Sequence, residues 1–151
     1  MRRERISRIP SVDPWIGGAA TILLLSLCAC SGDREVNEAR LFLDRYDTLQ
    51  HPSIEVRRSR LDAFRAMAFR SEEVRAAQTR CVELHQAVLD AELASTRAAD
   101  ELGRVEAGAA PPSGVEALLR QSQEAVGRAE ESREGCDQAL AELRTRHGRQ
   151  P

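Results

Sequence analysis

The residues of this 151-residue chain with the most specific chemistry are four cysteines and three histidines. Cys81 and His85 lie one turn apart on any helix that carries both, and Cys136 could add a third donor. Thiolate and imidazole are ligands that zinc favours. No fourth ligand is evident, however, and His85 falls beside the apolar stripe that carries Cys81, not on it. Two buried thiols acting as small hydrophobes are a further reading of the same cysteines. His51 precedes Pro52 in a turn and His147 lies near the C-terminus; both read as solvated. There is no nucleophile elbow, no glycine-rich dinucleotide loop and no zincin motif. Lys is absent altogether, which excludes a phosphate-binding loop of the Walker type. The expectation is a protein that is not an enzyme, with no cofactor, no bound metal and no small-molecule substrate.

The other two cysteines sit at the end of a different kind of segment. Arg2, Arg3, Arg5 and Arg8 make a basic start, and Trp15 to Ala29 carries no charge. Its densest part is Ile22-Leu23-Leu24-Leu25-Ser26-Leu27. At ~20 apolar residues for a bilayer crossing, this run is too short to span, but it suits a secretory h-region. Leu27-Cys28-Ala29-Cys30 resembles the bacterial lipobox, with a branched aliphatic residue at −3, a small one at −1 and then the modified cysteine. Reading the pattern on Cys28 would place Leu27 at −1, where a small residue belongs, so Cys30 is the better site. A short signal anchor or a buried apolar helix is the plainer alternative.

The resemblance implies a bacterial lipoprotein. Residues 1–29 would be the signal peptide, 30–34 the lipidated N-terminus and tether, 35–147 a helical domain and 148–151 a C-terminal tail. Cys30 would carry a diacylglycerol thioether and an N-acyl chain of the palmitate type. Several chains anchor stably where one is marginal. Ser31 is not the Asp that retains such proteins at the inner membrane, so the resemblance favours the outer membrane, facing the periplasm.

Composition agrees with a thin helical domain: 42% of residues are hydrophobic but only 3% aromatic. Without the four Arg and two acids of residues 1–29, 18 Arg face 22 acids, a charge near −4. No basic surface for nucleic acid is expected.

Apolar spacing of three and four predicts four helices. The first covers 35–50, with Val36, Ala39, Phe42, Leu43, Tyr46 and Leu49 on one face. His51-Pro52 ends it. The second covers 53–70, with Ile54, Leu61, Phe64 and Ala68 aligned. Ser71-Glu72-Glu73 suits a helix start, yet neither Gly nor Pro interrupts the chain at that boundary. A continuous rod is therefore slightly favoured over a compact bundle. The third helix, 71–106, has a heptad seam of Val74, Ala77, Cys81, Leu84, Val88, Ala91, Ser95, Ala98, Leu102 and Val105. Gly108 and Pro111-Pro112 make a loop, and Ser113-Gly114-Val115-Glu116 reads as a capping box. The fourth helix, 113–147, aligns Val115, Leu119, Ser122, Val126, Ala129, Cys136, Leu140 and Leu143. The first two helices should form a hairpin in which Phe42 approaches Leu61 and Val36 approaches Met67.

Folding the third helix onto the fourth in the register that pairs Leu102 with Val115 also pairs Ala98 with Leu119, Ser95 with Ser122, Ala91 with Val126 and Cys81 with Cys136. Large faces small in most layers. Given the export that the lipobox resemblance implies, Cys81 and Cys136 would meet an oxidising compartment and are expected to form a disulfide. The fold class is thus all-α, an antiparallel coiled-coil-like hairpin stapled by a disulfide and preceded by a shorter hairpin, elongated or compact.

Val82, Leu89 and Leu93 make a second apolar stripe off the seam, which the fourth helix cannot cover in full. It is either core beneath the shorter hairpin or an exposed partner-binding site. The expected function is a membrane-anchored envelope lipoprotein that serves as a structural, adaptor or protein-interaction module, through an envelope protein or self-association. Two alternatives remain: a pilotin-like or chaperone-like assembly lipoprotein, similar in architecture to disulfide-bearing helical pilotins but without a motif match, and a periplasmic metal-binding or sensor protein.

Overall fold

The computed structural model describes residues 17–105, 110 and 112–148, with side chains from residue 32 onward. Four helices occur in order: α1 Gly17–Asp47, α2 Ile54–Arg65, α3 Glu72–Gly103 and α4 Ser113–His147. No strand occurs among the described residues. Contacts divide the chain into two units, Met1–Arg34 and Glu35–Pro151. The backbone of residues 31–34, expected as a tether, is helical and continuous with α1.

α2 and α3 are separate helices, which corrects the expectation of a continuous rod. α2 stops at Arg65 although neither Gly nor Pro comes after it. Tertiary partners end it instead. Gln78 on α3 donates its side-chain amide to the carbonyls of Phe64, at 2.6 Å, and Met67, at 3.0 Å. The Phe64 carbonyl also accepts from the Met67 N–H, at 3.3 Å, so Gln78 reinforces a helix end whose last carbonyls lack intrahelical partners. The chain then turns, and Ser71 caps α3 by accepting from the Val74 N–H. The Glu38 carboxylate on α1 accepts from the backbone N–H groups of Arg70 and Ser71, both at 2.8 Å. A three-helix junction thereby does what a glycine does in a simple hairpin.

Compactness arises from the aromatic residues. Phe42 lies 5.2 Å from Phe64 and 6.1 Å from Phe69 between ring centroids. Leu61, the expected neighbour of Phe42, is buried in the same core cluster, one turn before Phe64. The buried position at the end of this segment is Phe69, while Ala68 is exposed. One core cluster joins Ala39, Phe42 and Leu49 to Leu61, Phe64 and Phe69, and both groups to Val74, Cys81, Leu89, Cys136 and Leu143. Burying such rings contributes about 2–3 kcal/mol each, and they share one core with residues of α3 and α4.

α3 and α4 run antiparallel. Cys81 and Cys136 are bonded, with Cα atoms 4.8 Å apart, and the Ser95 and Ser122 hydroxyls lie 2.8 Å apart. Both pairs belong to the register expected from the large-small pattern. The seam rotates along its length, however. Near the disulfide it uses Val74, Ala77, Cys81, Leu140 and Leu143; farther out it uses Ala87, Ala94, Ala98, Ser122 and Ala125. A straight α-helix drifts about 20° per heptad from a strict seven-residue repeat, so four heptads move the seam by most of one residue. Leu102, Leu119 and Val126, expected within the seam, are 45%, 46% and 45% exposed. At the start of α4 the N-cap is Pro112, without a side-chain cap bond, so Ser113 is the first helical residue and not the cap of a capping box. Residues 106–109 and 111, including Gly108 and Pro111 of the expected loop, lie outside the described residues.

Candidate functional site

Two surroundings of the hairpin differ, and the difference defines the candidate sites. From the helix junction to about Glu92, α1 and α2 cover α3 and α4. Beyond Glu92, no other described residue from Glu35 onward joins the hairpin core as it continues through Gly103 and back from Ser113.

In the covered half, the disulfide is fully buried. Tyr46 of α1 sits over it, with its hydroxyl 3.8 Å from Cys136 Sγ and its ring edge-on to His85 at 5.4 Å. Burial raises the Tyr46 pKa above its ordinary value, and the Asp137 carboxylate adds to this; the Arg144 cation works against it. Because each sulfur is bonded to the other, neither cysteine is a thiolate donor. The zinc set read around Cys81, His85 and Cys136 therefore loses two of its three members. Among the described residues, no three His, Cys, Asp or Glu side chains converge as they would around a metal ion.

α2 is fastened by Arg57, whose guanidinium forms a forked ion pair with Glu92 of α3, Nη1 to Oε1 at 2.8 Å and Nη2 to Oε2. Bidentate geometry of this kind adds direction as well as attraction. Burial lowers the His85 pKa, and the Arg57 cation lowers it further. Neither Arg57 nor Glu92 is conspicuous in the sequence, because a charge on an amphipathic helix ordinarily reads as solvated.

The stripe of Val82, Leu89 and Leu93 is not one surface. Leu89 is 3% exposed and belongs to the core beneath Leu49 and Leu61. Val82 is half-buried against that core, and Leu93 is half-buried. The compact alternative therefore holds at Leu89, which is not available as a docking residue. Cys30, the expected lipidation site, lies outside the residues whose side chains are described. Among the described residues, no helix is long and apolar enough to cross a membrane.

The uncovered half presents a surface that sequence reasoning did not single out. Ser95, Ala99 and Leu102 succeed one another by four and three on α3; Leu119, Gln123 and Val126 do the same on α4. Each trio lies on one side of its helix. Two heptads nearer the junction, the same α4 stripe carries Asp137 and Leu140, and Asp137 acts on Tyr46. On α3 the matching position, two heptads from Ala99, is His85, which touches the Tyr46 ring. The exposed strip is therefore the outward continuation of the groove that holds α1. The opposite flank of the hairpin is charged, with Arg128 and Asp90 paired at 3.8 Å across it. Compared with family models, curated proteins and solved structures, the chain matches none of them.

Proposed function

We propose that this protein is a membrane-anchored envelope lipoprotein that works as an adaptor, holding a partner protein through a helical surface. The observation that carries the reading is Leu27-Cys28-Ala29-Cys30 at the end of the uncharged stretch from Trp15 to Ala29. Cys30 is the acylated residue, and Ser31 directs the protein to the outer membrane, facing the periplasm. The buried Cys81–Cys136 bond suits an oxidising compartment.

The partner surface is the uncovered strip of Leu102, Leu119 and Val126. Its occupant is an amphipathic helix of another envelope protein, seated as α1 is seated farther down the same groove. Glu116 and Glu130 bracket Leu119 and Val126 along α4 and are exposed, so basic residues flank the apolar face of that helix. A pilotin-like or assembly role is one form of this adaptor activity.

Cys30→Ala should abolish incorporation of an alkyne-tagged fatty acid and release the protein from the membrane fraction, whereas Cys28→Ser should leave both intact. Labelling retained in the Cys30 variant would overturn the anchor. In crosslinked envelopes, the wild-type protein should capture a partner that the Leu119→Glu variant does not. A product containing only this chain would replace the heterologous partner with self-association.

A further inference from the structure

Between α2 and α3 lies a cavity of about 10 Å³, lined by Leu49, Arg57, Leu61, His85, Val88 and Leu89. Four of these residues are aliphatic. The other two each bring a buried polar atom with no hydrogen-bond partner in the protein: Arg57 Nε and His85 Nε2. A buried group left unpaired forfeits its hydration without compensation, and here two such groups line one small space.

Their chemistry is complementary. The Arg57 Nε–H can only donate, and the Nε2 of a neutral imidazole can accept. We propose that this cavity binds one internal water molecule, which accepts from Arg57 Nε–H and donates to His85 Nε2, and that protonation of His85 breaks the bridge and loosens α2 from α3. The space matches one water molecule, which needs roughly 10–15 Å³ and two to four polar partners. An anion is not called for, because Glu92 already occupies both terminal nitrogens of Arg57.

Protonation reverses the arrangement at His85. Nε2 becomes a donor, the water oxygen then faces two N–H groups, and a second positive charge stands beside Arg57. The groups around the imidazole offer no relief. α1 contributes the Tyr46 ring, with Asp47 beyond it. α2 contributes Arg57, and the Glu92 carboxylate of α3 is committed to that residue. α4 contributes the disulfide sulfur of Cys136, with Asp137 and Arg144 acting on Tyr46. Burial and Arg57 hold His85 below its ordinary value of 6.5. For a histidine depressed in this way, the native contribution is fully present above pH 6.5. It is lost as pH falls below 6.5 towards the native pKa, because the unfolded chain takes up the proton first.

The test uses the full chain in mild detergent, labelled with ¹⁵N. At neutral pH, Arg57 Nε–H should show a rotating-frame cross-peak to bound water, and His85 Nε2 should show the shift of an unprotonated nitrogen. The melting temperature of the wild type should fall between about pH 7.5 and about pH 5. His85→Gln keeps an acceptor but cannot titrate there, and should lose distinctly less over the same interval. Absence of the water cross-peak, or a protonated Nε2 at neutral pH, would overturn the water site. Parallel losses in wild type and variant would overturn the pH coupling. Should His85→Gln fail to fold, the native His85 pKa from the same spectra decides that coupling, and a value at or above 6.5 would refute it.

Discussion

The Ser95 and Ser122 hydroxyls meet 2.8 Å apart at a point two heptads along both helices from the Cys81–Cys136 bond. Ser122 also donates to the Ala91 carbonyl at 3.1 Å. Between the two pairs the buried seam is mostly alanine, with Ala87, Ala91, Ala94, Ala125 and Ala129 beside Leu84, so these polar and covalent contacts carry much of the alignment that side-chain shape leaves loose. Ser122→Ala should cost about 1 kcal/mol. Ser95→Ala should cost less, because Ser122 keeps its carbonyl partner. Urea unfolding of the two single variants and the double variant measures the coupling, which should be non-zero since the residues share a bond.

Cys81→Ala and Cys136→Ala should each destabilise the folded chain by up to about 4 kcal/mol, the chain-entropy value for a loop of this length. The double variant should cost little more than either single one, because all three lack the same bond. Additive losses in thermal unfolding would mean that the two side chains contribute chiefly by packing.

Leu89 and Leu119 should respond in opposite ways to the same change. Leu89→Glu places a carboxylate in the core and should cost at least about 3 kcal/mol. Leu119→Glu, at a position 46% exposed, should change stability by less than about 0.5 kcal/mol. Comparable losses in circular-dichroism melts would remove the distinction between the covered and uncovered halves.

Phe42→Ala should release α1 from both Phe64 and Phe69, at a cost of about 3–5 kcal/mol. Amide hydrogen exchange should then rise first at residues 35–47 and in α2, while the α3–α4 pairing around the disulfide stays protected. Uniform loss of protection would mean that the four helices unfold as one unit.

Glu92→Gln should leave Arg57 with a neutral partner and weaken the clasp on α2. The pair is partly exposed, so the loss at low salt should be modest and should shrink in high salt. Equal destabilisation across salt concentrations would point to packing of the two side chains as the source.

The four helices and the cysteine register were legible because each rests on a local period or on a pair of rare residues. Val74, Ala77, Cys81 and Leu84 repeat by three and four, and the register that opposes Cys81 to Cys136 opposes Ser95 to Ser122 as well. The illegible parts depend on three-dimensional partners. The break after Arg65 is made by Gln78 and Glu38, residues far along the chain or before it, with no glycine to announce it. The exposure of Leu102, Leu119 and Val126 arises because a strict heptad count accumulates error against a 3.6-residue helix. It also reflects the end of α1 at Asp47, which does not extend over that part of the groove. His85 fell beside the seam in the sequence pattern, and its neighbour Arg57 comes from a helix whose register against α3 no repeat encodes.

The alanine seam has a mechanical consequence. Ala94, Ala98 and Ala125 offer one methyl each, so sliding α3 against α4 by a heptad would exchange one set of methyls for another at little cost in contact area. The disulfide forbids that slip. Cutting it would leave the register to the Ser95–Ser122 contact and to the larger side chains near the junction, Val74, Leu140 and Leu143; each heptad of slip would move the tip by about 10 Å at 1.5 Å per residue. In that sense the Cys81–Cys136 bond is a gauge pin that sets how far Leu102 and Leu119 stand from the rest of the molecule.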